Sequence, residues 1–492
     1  MNYKDDSLML HTDLYQINMA NVYWKQNIHE DEAVFELFFR NLPLGNGYAV
    51  FAGLEKIISY LKDFRYTDED IRYLKEEVGY EDDFLNCLKE LRFTGTLKSM
   101  EEGELVFGNQ PILQFTGPLI QGQLIETTIL NIVNYQTLIA TKASRIKNVI
   151  GDDRALEFGT RRAQETEAAI WGARAAVIGG FDATSNVRAG KKFGIPVAGT
   201  HAHALVQVYR DEYKAFKSYA ETFKDCVFLV DTYDTLKSGI PNAIKVANEM
   251  GDRINFNGIR LDSGDMAYLS KKARVMLDEA GYPNARIVAS NDLDENTIFD
   301  LKSQGAMIDT WGVGTKLITS YDQPALGAVY KLVSIEDKSG DMVDTIKISG
   351  NPEKVTTPGK KSVYRILNLE NGKSEGDYIS LDTEDPNSEE RLHMFHPIHT
   401  FVSKFITNFE AIELQKVIFD NGNLVYELPK LYEMQEFLKQ NLTSLWPEYT
   451  RKLNPQEYPV DLSEKLWKNK MNTIEQVKKE VEEKMISREN EI

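Results

Sequence analysis

Between about residues 154 and 316, short apolar segments of strand length recur, and most are followed by a stretch whose apolar positions repeat with helical period. The apolar segments centre near Leu156, Phe181, Val197, Phe228, Ile259, Ile287 and Ile308. Helical patterns lie between them over 163–177, 213–223, 240–250, 266–279 and 295–303. Such alternation predicts an α/β unit with a parallel sheet. Seven repeats of the unit predict closure into a barrel, with the loops after the strands converging on one face.

The flanking regions have other patterns. Before residue 150, the spacing predicts a helix over 13–23, a strand over 33–40, helices within 54–92, strands within 104–120 and a long helix over 122–149. After residue 325, the segment 328–381 is β-rich with Gly and Lys turns, 382–391 is a polar acidic loop, and helices are expected over 431–438 and from 462 to about 486. Three regions follow: 1–150, 151–325 and 326–492.

Composition narrows the class. The chain has 492 residues, 42% of them hydrophobic and 27% charged, as in ordinary globular proteins. Its net charge of -18 excludes a sequence-wide attraction to nucleic acid or anionic membrane. A phosphorylated ligand must therefore be held by a local basic cluster. Cys87 and Cys226 form neither a zinc nor a redox motif and read as free thiols. Met1–Asp6 has no signal-peptide pattern, and no apolar run is long enough to span a bilayer, so a cytoplasmic location is expected.

The chemistry gathers after the apolar segments. In order these residues are Phe158, Arg161 and Arg162; Asp182, Thr184 and Ser185; Thr200, His201 and His203; Asp231 and Asp234; Arg260, Asp262, Ser263, Gly264 and Asp265; Ser290, Asn291 and Asp292; and Gly312, Gly314, Thr315 and Lys316. Any one could be a helix cap. Seven polar clusters at the same end point to a site. The arginine pair suits phosphate or carboxylate. Gly312-Val313-Gly314-Thr315 reads as a phosphate cradle, and Arg260 to Asp265 as a place for sugar hydroxyls and a Mg²⁺-bound diphosphate. His201 and His203 offer proton exchange or a phosphoryl acceptor, and their spacing does not choose between them.

Taken in order, Thr12-Asp13-Leu14-Tyr15-Gln16, Phe39-Arg40-Asn41-Leu42-Pro43, Glu157 to Ala163, Thr184-Ser185-Asn186-Val187, Gly199 to His203, Leu261 to Asp265 and Gly312 to Thr315 resemble the nicotinate phosphoribosyltransferase family. The likeness continues in Asn351-Pro352-Glu353-Lys354, Pro358-Gly359-Lys360-Lys361 and Asn454-Pro455. It implies an irregular seven-stranded α/β barrel beside an α/β (α+β) sandwich domain, with a C-terminal extension that packs back on the N-terminal domain. It also implies a cytoplasmic homodimer with a shared active site, Tyr15 coming from the neighbouring chain. The implied reaction joins nicotinate to 5-phosphoribosyl 1-diphosphate, with Mg²⁺ and with ATP hydrolysis coupled through phosphorylated His203.

On this resemblance His203, Asp262 and Arg260 are the catalytic group. Tyr15, Phe158, Arg161, Arg162, Asp182, Thr184, Ser185, Thr200 and Arg40 bind substrate. Ser263, Gly264, Ser290, Asn291, Gly312, Gly314 and Thr315 bind phosphate. Mg²⁺ travels with the substrate, with Asp262 or Asp265 as the carboxylate open to it. The rival within the superfamily is a nicotinamide phosphoribosyltransferase. A rival of another class is a phosphate-binding barrel lyase, for which Lys316 is the candidate Schiff-base lysine.

Overall fold

The computed structural model describes residues 8–351, 354–399 and 401–489, so Met1–Asp6 and the Pro352-Glu353 pair lie outside the described residues. The chain divides into two compact units. One comprises Met1–Thr137, Ala325–Lys430 and Glu436–Ile492; the other comprises Leu138–Pro324 and Leu431–Gln435. The boundary expected at 150 therefore falls earlier, inside the helix Glu126–Ile150. The physical reason is that Lys142 and Arg145 of this helix pair with Glu295, deep in the second unit.

The first unit is built by both ends of the chain. Its larger sheet has seven strands in the order Met342–Asp344, Val329–Glu336, Glu32–Phe38, Leu113–Pro118, Thr96–Met100, Gln415–Asp420 and Asn423–Leu424. The rings of Phe35 and Tyr330 stack at 5.0 Å across the junction of early and late segments. A second sheet of six strands comes wholly from residues after 360. It is joined to the early part by buried charge. Arg365 meets Asp377 at 3.0 Å and donates to the Leu105 carbonyl at 2.8 Å, while Lys361 meets Glu36 at 2.9 Å. Most of the C-terminal third thus packs on the N-terminal region, while Leu431–Gln435 belongs to the other unit. The sequence reading did not foresee Thr96–Met100 or the strands between 392 and 420.

The second unit holds a parallel sheet of six strands, not seven. Their order is Ala183–Thr184, Arg154–Glu157, Thr310–Val313, Arg286–Ser290, Asn255–Leu261 and Asp225–Leu229. The seventh segment, expected at Val197, makes a single bridge to Thr184. Pro196 has no N–H to donate, and Gly199 follows two residues after Val197, so no ladder extends there. The open edge of Asp225–Leu229 is met instead by a side chain: the Leu229 N–H donates to His201 Nε2 at 3.2 Å. Residues from both edges, Val197 and Val227 among them, line one cavity of about 750 Å³, so the sheet curls toward closure.

The helices between the strands follow the sequence pattern closely. Met266–Glu279 buries Met266, Ser270, Ala273 and Leu277 along one stripe. Asp265 caps it by accepting from the Tyr268 N–H at 2.9 Å. Among the described residues no helix is long and apolar enough to cross a membrane.

Candidate active site

The C-terminal ends of these strands bring one charged network together. Arg260, the penultimate residue of its strand, donates to Ser290 Oγ at 2.8 Å, to Thr200 Oγ1 at 3.2 Å and to Asp262 Oδ1 at 2.8 Å. Three loops therefore fix one guanidinium. Asp262 also accepts from the Ser290 hydroxyl, and its backbone N–H donates to Asp231 Oδ2 at 2.8 Å. Burial alone would raise the Asp262 pKa. The Ser290 hydrogen bond, Arg260 and His203 outweigh it and hold the carboxyl below its ordinary value. Asp262 is thus held as an anion, able to accept hydrogen bonds from hydroxyl groups.

The two histidines differ sharply. His203 begins the helix His203–Tyr209 and is 36% exposed, its Nδ1 3.0 Å from Thr232 Oγ1 and its Nε2 3.8 Å from Asp262 Oδ2. His201 is buried, with Nε2 accepting from Leu229. Burial pushes its pKa down to about 4, against the opposing contact with the Ala202 carbonyl, and the nearby Arg260 charge acts in the same direction as burial. It is a neutral structural group.

Phe158 lies beside this network, the Arg260 guanidinium 5.8 Å from its ring centre. Two features seat the ring. The Phe158 N–H donates to the Val313 carbonyl at 2.7 Å. A Cβ at Gly312 would lie 2.6 Å from the ring, so only glycine leaves room. Gly312, read as part of a phosphate cradle, is in fact a buried ladder residue that makes space for Phe158. Beneath lies Glu157, fully buried, accepting from the Gly159 N–H and the Thr184 hydroxyl. Thr184 is thereby committed to Glu157, and Ser185, whose N–H donates to the Glu157 carbonyl at 2.9 Å, is the group of this loop left at the surface of the site.

The loops after Arg286–Ser290 and Thr310–Val313 are neighbours, because Ser290 pairs with Gly312 in parallel register. The first turns through Asn291 at φ 99° and Asp292 at φ 42°. Two consecutive non-glycine residues in sparsely populated conformations cost on the order of 1–3 kcal/mol each, as functional loops often do. The second carries Gly314 and Thr315 into a short helix, Thr315–Ile318. Lys316 bridges the two at 2.8 Å to Asp294 Oδ2. The hydrogen bond from Lys316 to Asp294 raises the Lys316 pKa, the reverse of what a Schiff-base lysine needs.

The remaining expected residues divide as follows. Arg161 and Arg162 stand exposed on the turn Thr160–Arg162, with no carboxylate of the described residues paired to either. Ser263 donates to Asp231 Oδ2 at 2.7 Å, Gly264 turns at φ 82°, and Asp265 is the helix cap described above. Asp182 is misplaced by the sequence reading. It precedes its strand, accepts from the Ala155 N–H at 2.8 Å, and lies 3.7 Å from Lys147, so it clamps the start of the sheet instead of facing the site. Tyr15 and Arg40 belong to the first unit. Tyr15 is half exposed on the helix Leu14–Lys25, and the Arg40 guanidinium lies 5.9 Å from the Phe38 ring. Sequence reasoning missed Thr232 and the support from Glu157. It also left Asp231 without a role, although Asp231 Oδ1 is buried with no hydrogen-bond partner among the described residues.

Comparisons with known proteins agree along most of the chain. Residues 10–134 match the nicotinate phosphoribosyltransferase (NAPRTase) N-terminal domain, 154–393 the nicotinate phosphoribosyltransferase (NAPRTase) family and 360–470 the nicotinate phosphoribosyltransferase C-terminal domain. The chain is 68% identical over 483 residues to the nicotinate phosphoribosyltransferase of Bacillus subtilis, covering 98% of each chain. It is 38% identical over 515 residues to that of Dictyostelium discoideum, covering 93% of this chain and 86% of the relative. The crystal structure of human nicotinic acid phosphoribosyltransferase superposes with a TM-score of 0.82 at 29% identity, covering 94% of this chain and 99% of that one. With the ordered motifs, the strand-end network and these matches in hand, the chain belongs to the nicotinate phosphoribosyltransferase family.

Proposed function

We propose that this protein transfers the 5-phosphoribosyl group of 5-phosphoribosyl 1-diphosphate to nicotinate, giving nicotinate mononucleotide and pyrophosphate in NAD salvage, with ATP hydrolysis coupled through phosphorylated His203. The observation that carries the reading is Arg260, held by three loops beside both the Phe158 ring and Asp262. A flat, anionic ring fits against Phe158 with its carboxylate in reach of the guanidinium. Ribose hydroxyls fit Asp262. The pyridine nitrogen forms a bond to the anomeric carbon as the bond to diphosphate breaks, so the protein's work is alignment and charge neutralisation.

His203 supports the coupled step. Thr232 holds Nδ1, leaving Nε2 on the side of Asp262 to accept a phosphoryl group from ATP, with release of ADP and later hydrolysis of the N–P bond. For Mg²⁺, no group of three or more His, Cys, Asp or Glu among the described residues forms a cage. The unpartnered Asp231 Oδ1 beside Asp262 fits a cation that takes its other ligands from substrate. Held there by Asp231, with Asp262 beside it, Mg²⁺ would supply positive charge against the diphosphate.

A homodimer completes the reading. The helix Leu14–Lys25 leaves Leu14, Tyr15, Met19 and Val22 exposed, an apolar face suited to a second copy that would bring Tyr15 to the partner's Phe158 loop.

One assay tests the reaction: purified protein, the diphosphoribosyl donor and Mg²⁺ with nicotinate, nicotinamide or quinolinate, each with and without ATP. A charge-assisted hydrogen bond to the carboxylate contributes about 1.5–3 kcal/mol, so kcat/KM for nicotinate should exceed that for nicotinamide by roughly ten- to a hundredfold. Equal values for acid and amide would sink the proposal.

A further inference from the structure

Asn291 and Asp292 hold consecutive positive φ values, yet neither side chain makes a hydrogen bond among the described residues. The turn is held from outside. Leu293 is buried behind it. Asp294 accepts from the Asn296 and Thr297 N–H groups with Oδ1 and from Lys316 with Oδ2 at 2.8 Å. Glu295, fully buried, is gripped by Lys142 at 2.8 Å and by Arg145 at 2.7 Å. Lys142 also meets Asp322 at 2.9 Å, beyond the end of the Thr315–Ile318 helix. Both strand-end loops are therefore tied to each other by Lys316 and to one rigid helix by Lys142.

From this geometry we propose that Lys316 and Asp294, backed by Glu295, Lys142 and Arg145, are positioning residues: they brace the Ser290-Asn291-Asp292 loop against the Gly314-Thr315 loop, so that the two form one seat for the phosphate of a phosphoribosyl ligand. Lys316 acts through Asp294 and not by touching the ligand. The inference rests on the phosphate-binding roles in the proposed function. It adds that the spacing between the loops sets affinity for that phosphate.

Four variants separate the possibilities. Asp294→Asn keeps the cap, because asparagine caps helices as well as aspartate, and removes the ion pair. Lys316→Met removes the charge at similar length, Lys316→Arg restores a cation, and the double variant combines Asp294→Asn with Lys316→Met. Steady-state KM and kcat for the diphosphoribosyl donor are measured at saturating nicotinate, and affinity for ribose 5-phosphate by calorimetry. Asp294→Asn and Lys316→Met should each raise the donor KM and weaken ribose 5-phosphate by about tenfold, the scale of a modest misplacement of a binding loop, with kcat and the nicotinate KM within about twofold. The double variant should be no worse than the worse single, and Lys316→Arg should lie near wild type.

Unchanged donor KM in both singles overturns the brace. So does tighter binding in Asp294→Asn beside weaker binding in Lys316→Met, since a freed lysine that helps must touch phosphate itself. Losses that merely track the thermal midpoint across the set also overturn it. A wild type that binds ribose 5-phosphate but does not turn over nicotinate overturns the proposed reaction alone, leaving the brace to be judged on affinity. No binding of ribose 5-phosphate by the wild type removes the seat and the brace together.

Discussion

Among single residues, environment separates two histidines that sequence spacing could not. His203 is half open, beside Thr232 and Asp262; His201 is buried and committed to a backbone N–H. His203→Ala should abolish ATP-dependent phosphorylation and ATP stimulation, leaving slow ATP-independent transfer, because Arg260 and Asp262 keep their mutual contacts. Phosphohistidine-preserving mass spectrometry checks this, and a label on His201, or one retained in His203→Ala, refutes it. The strand-end motif from Glu157 to Arg162 was legible because an apolar run stops abruptly in polar residues. Asp182 was misread for a related reason. Phe181 is apolar and fully buried, which mimics a strand, yet it belongs to the turn before one, and the strand starts at Ala183. Glu157 and Asp231 act beneath the surface, and a sequence does not show which way a carboxylate points.

Secondary-structure elements were legible where one face is buried and the other wet. Met266–Glu279 and Glu295–Ser303 fall on their expected spans because an apolar stripe and an aspartate cap agree. The strands between 392 and 420 were hidden because they are short and mix buried with exposed positions irregularly, as in Ser403–Ile406. The seventh strand failed at Pro196, and His201 stands in its place. That substitution carries a pH signature. The folded-state pKa of His201, about 4, lies below the ordinary value near 6.5, so as pH falls the unfolded chain takes up the proton first. Stability linked to the neutral ring is complete above about 6.5 and lost progressively toward 4, up to about 3 kcal/mol at the acid end. His201→Gln keeps an acceptor for Leu229 but does not titrate. Urea midpoints at pH 7 and pH 5 should show a smaller acid loss in the variant than in wild type; parallel losses would refute the assignment.

At the scale of the whole molecule, the proposed homodimer makes its own prediction. If Tyr15 reaches a partner, Tyr15→Ala and Asp262→Ala homodimers should both be inactive, and subunit exchange should restore one intact site per heterodimer. Demonstrated exchange with no regained activity would refute the shared site. The two-unit plan was partly visible in the sequence as a change from mixed to alternating pattern near 154. The boundary inside a helix was not, since helical period runs unbroken through Thr137. The same plan sets an order of events during synthesis. The strands Glu32–Phe38 and Thr96–Met100 lie in the middle of a sheet whose neighbours, Val329–Glu336 and Gln415–Asp420, are encoded hundreds of residues later. At about 5–20 residues per second, a ribosome leaves those edges bare for roughly fifteen seconds to a minute. The second unit's six strands, by contrast, all emerge between Arg154 and Val313. The nascent chain therefore completes its parallel sheet first, and carries an unfinished one through translation with two strand edges unpaired and open to whatever chaperone meets them.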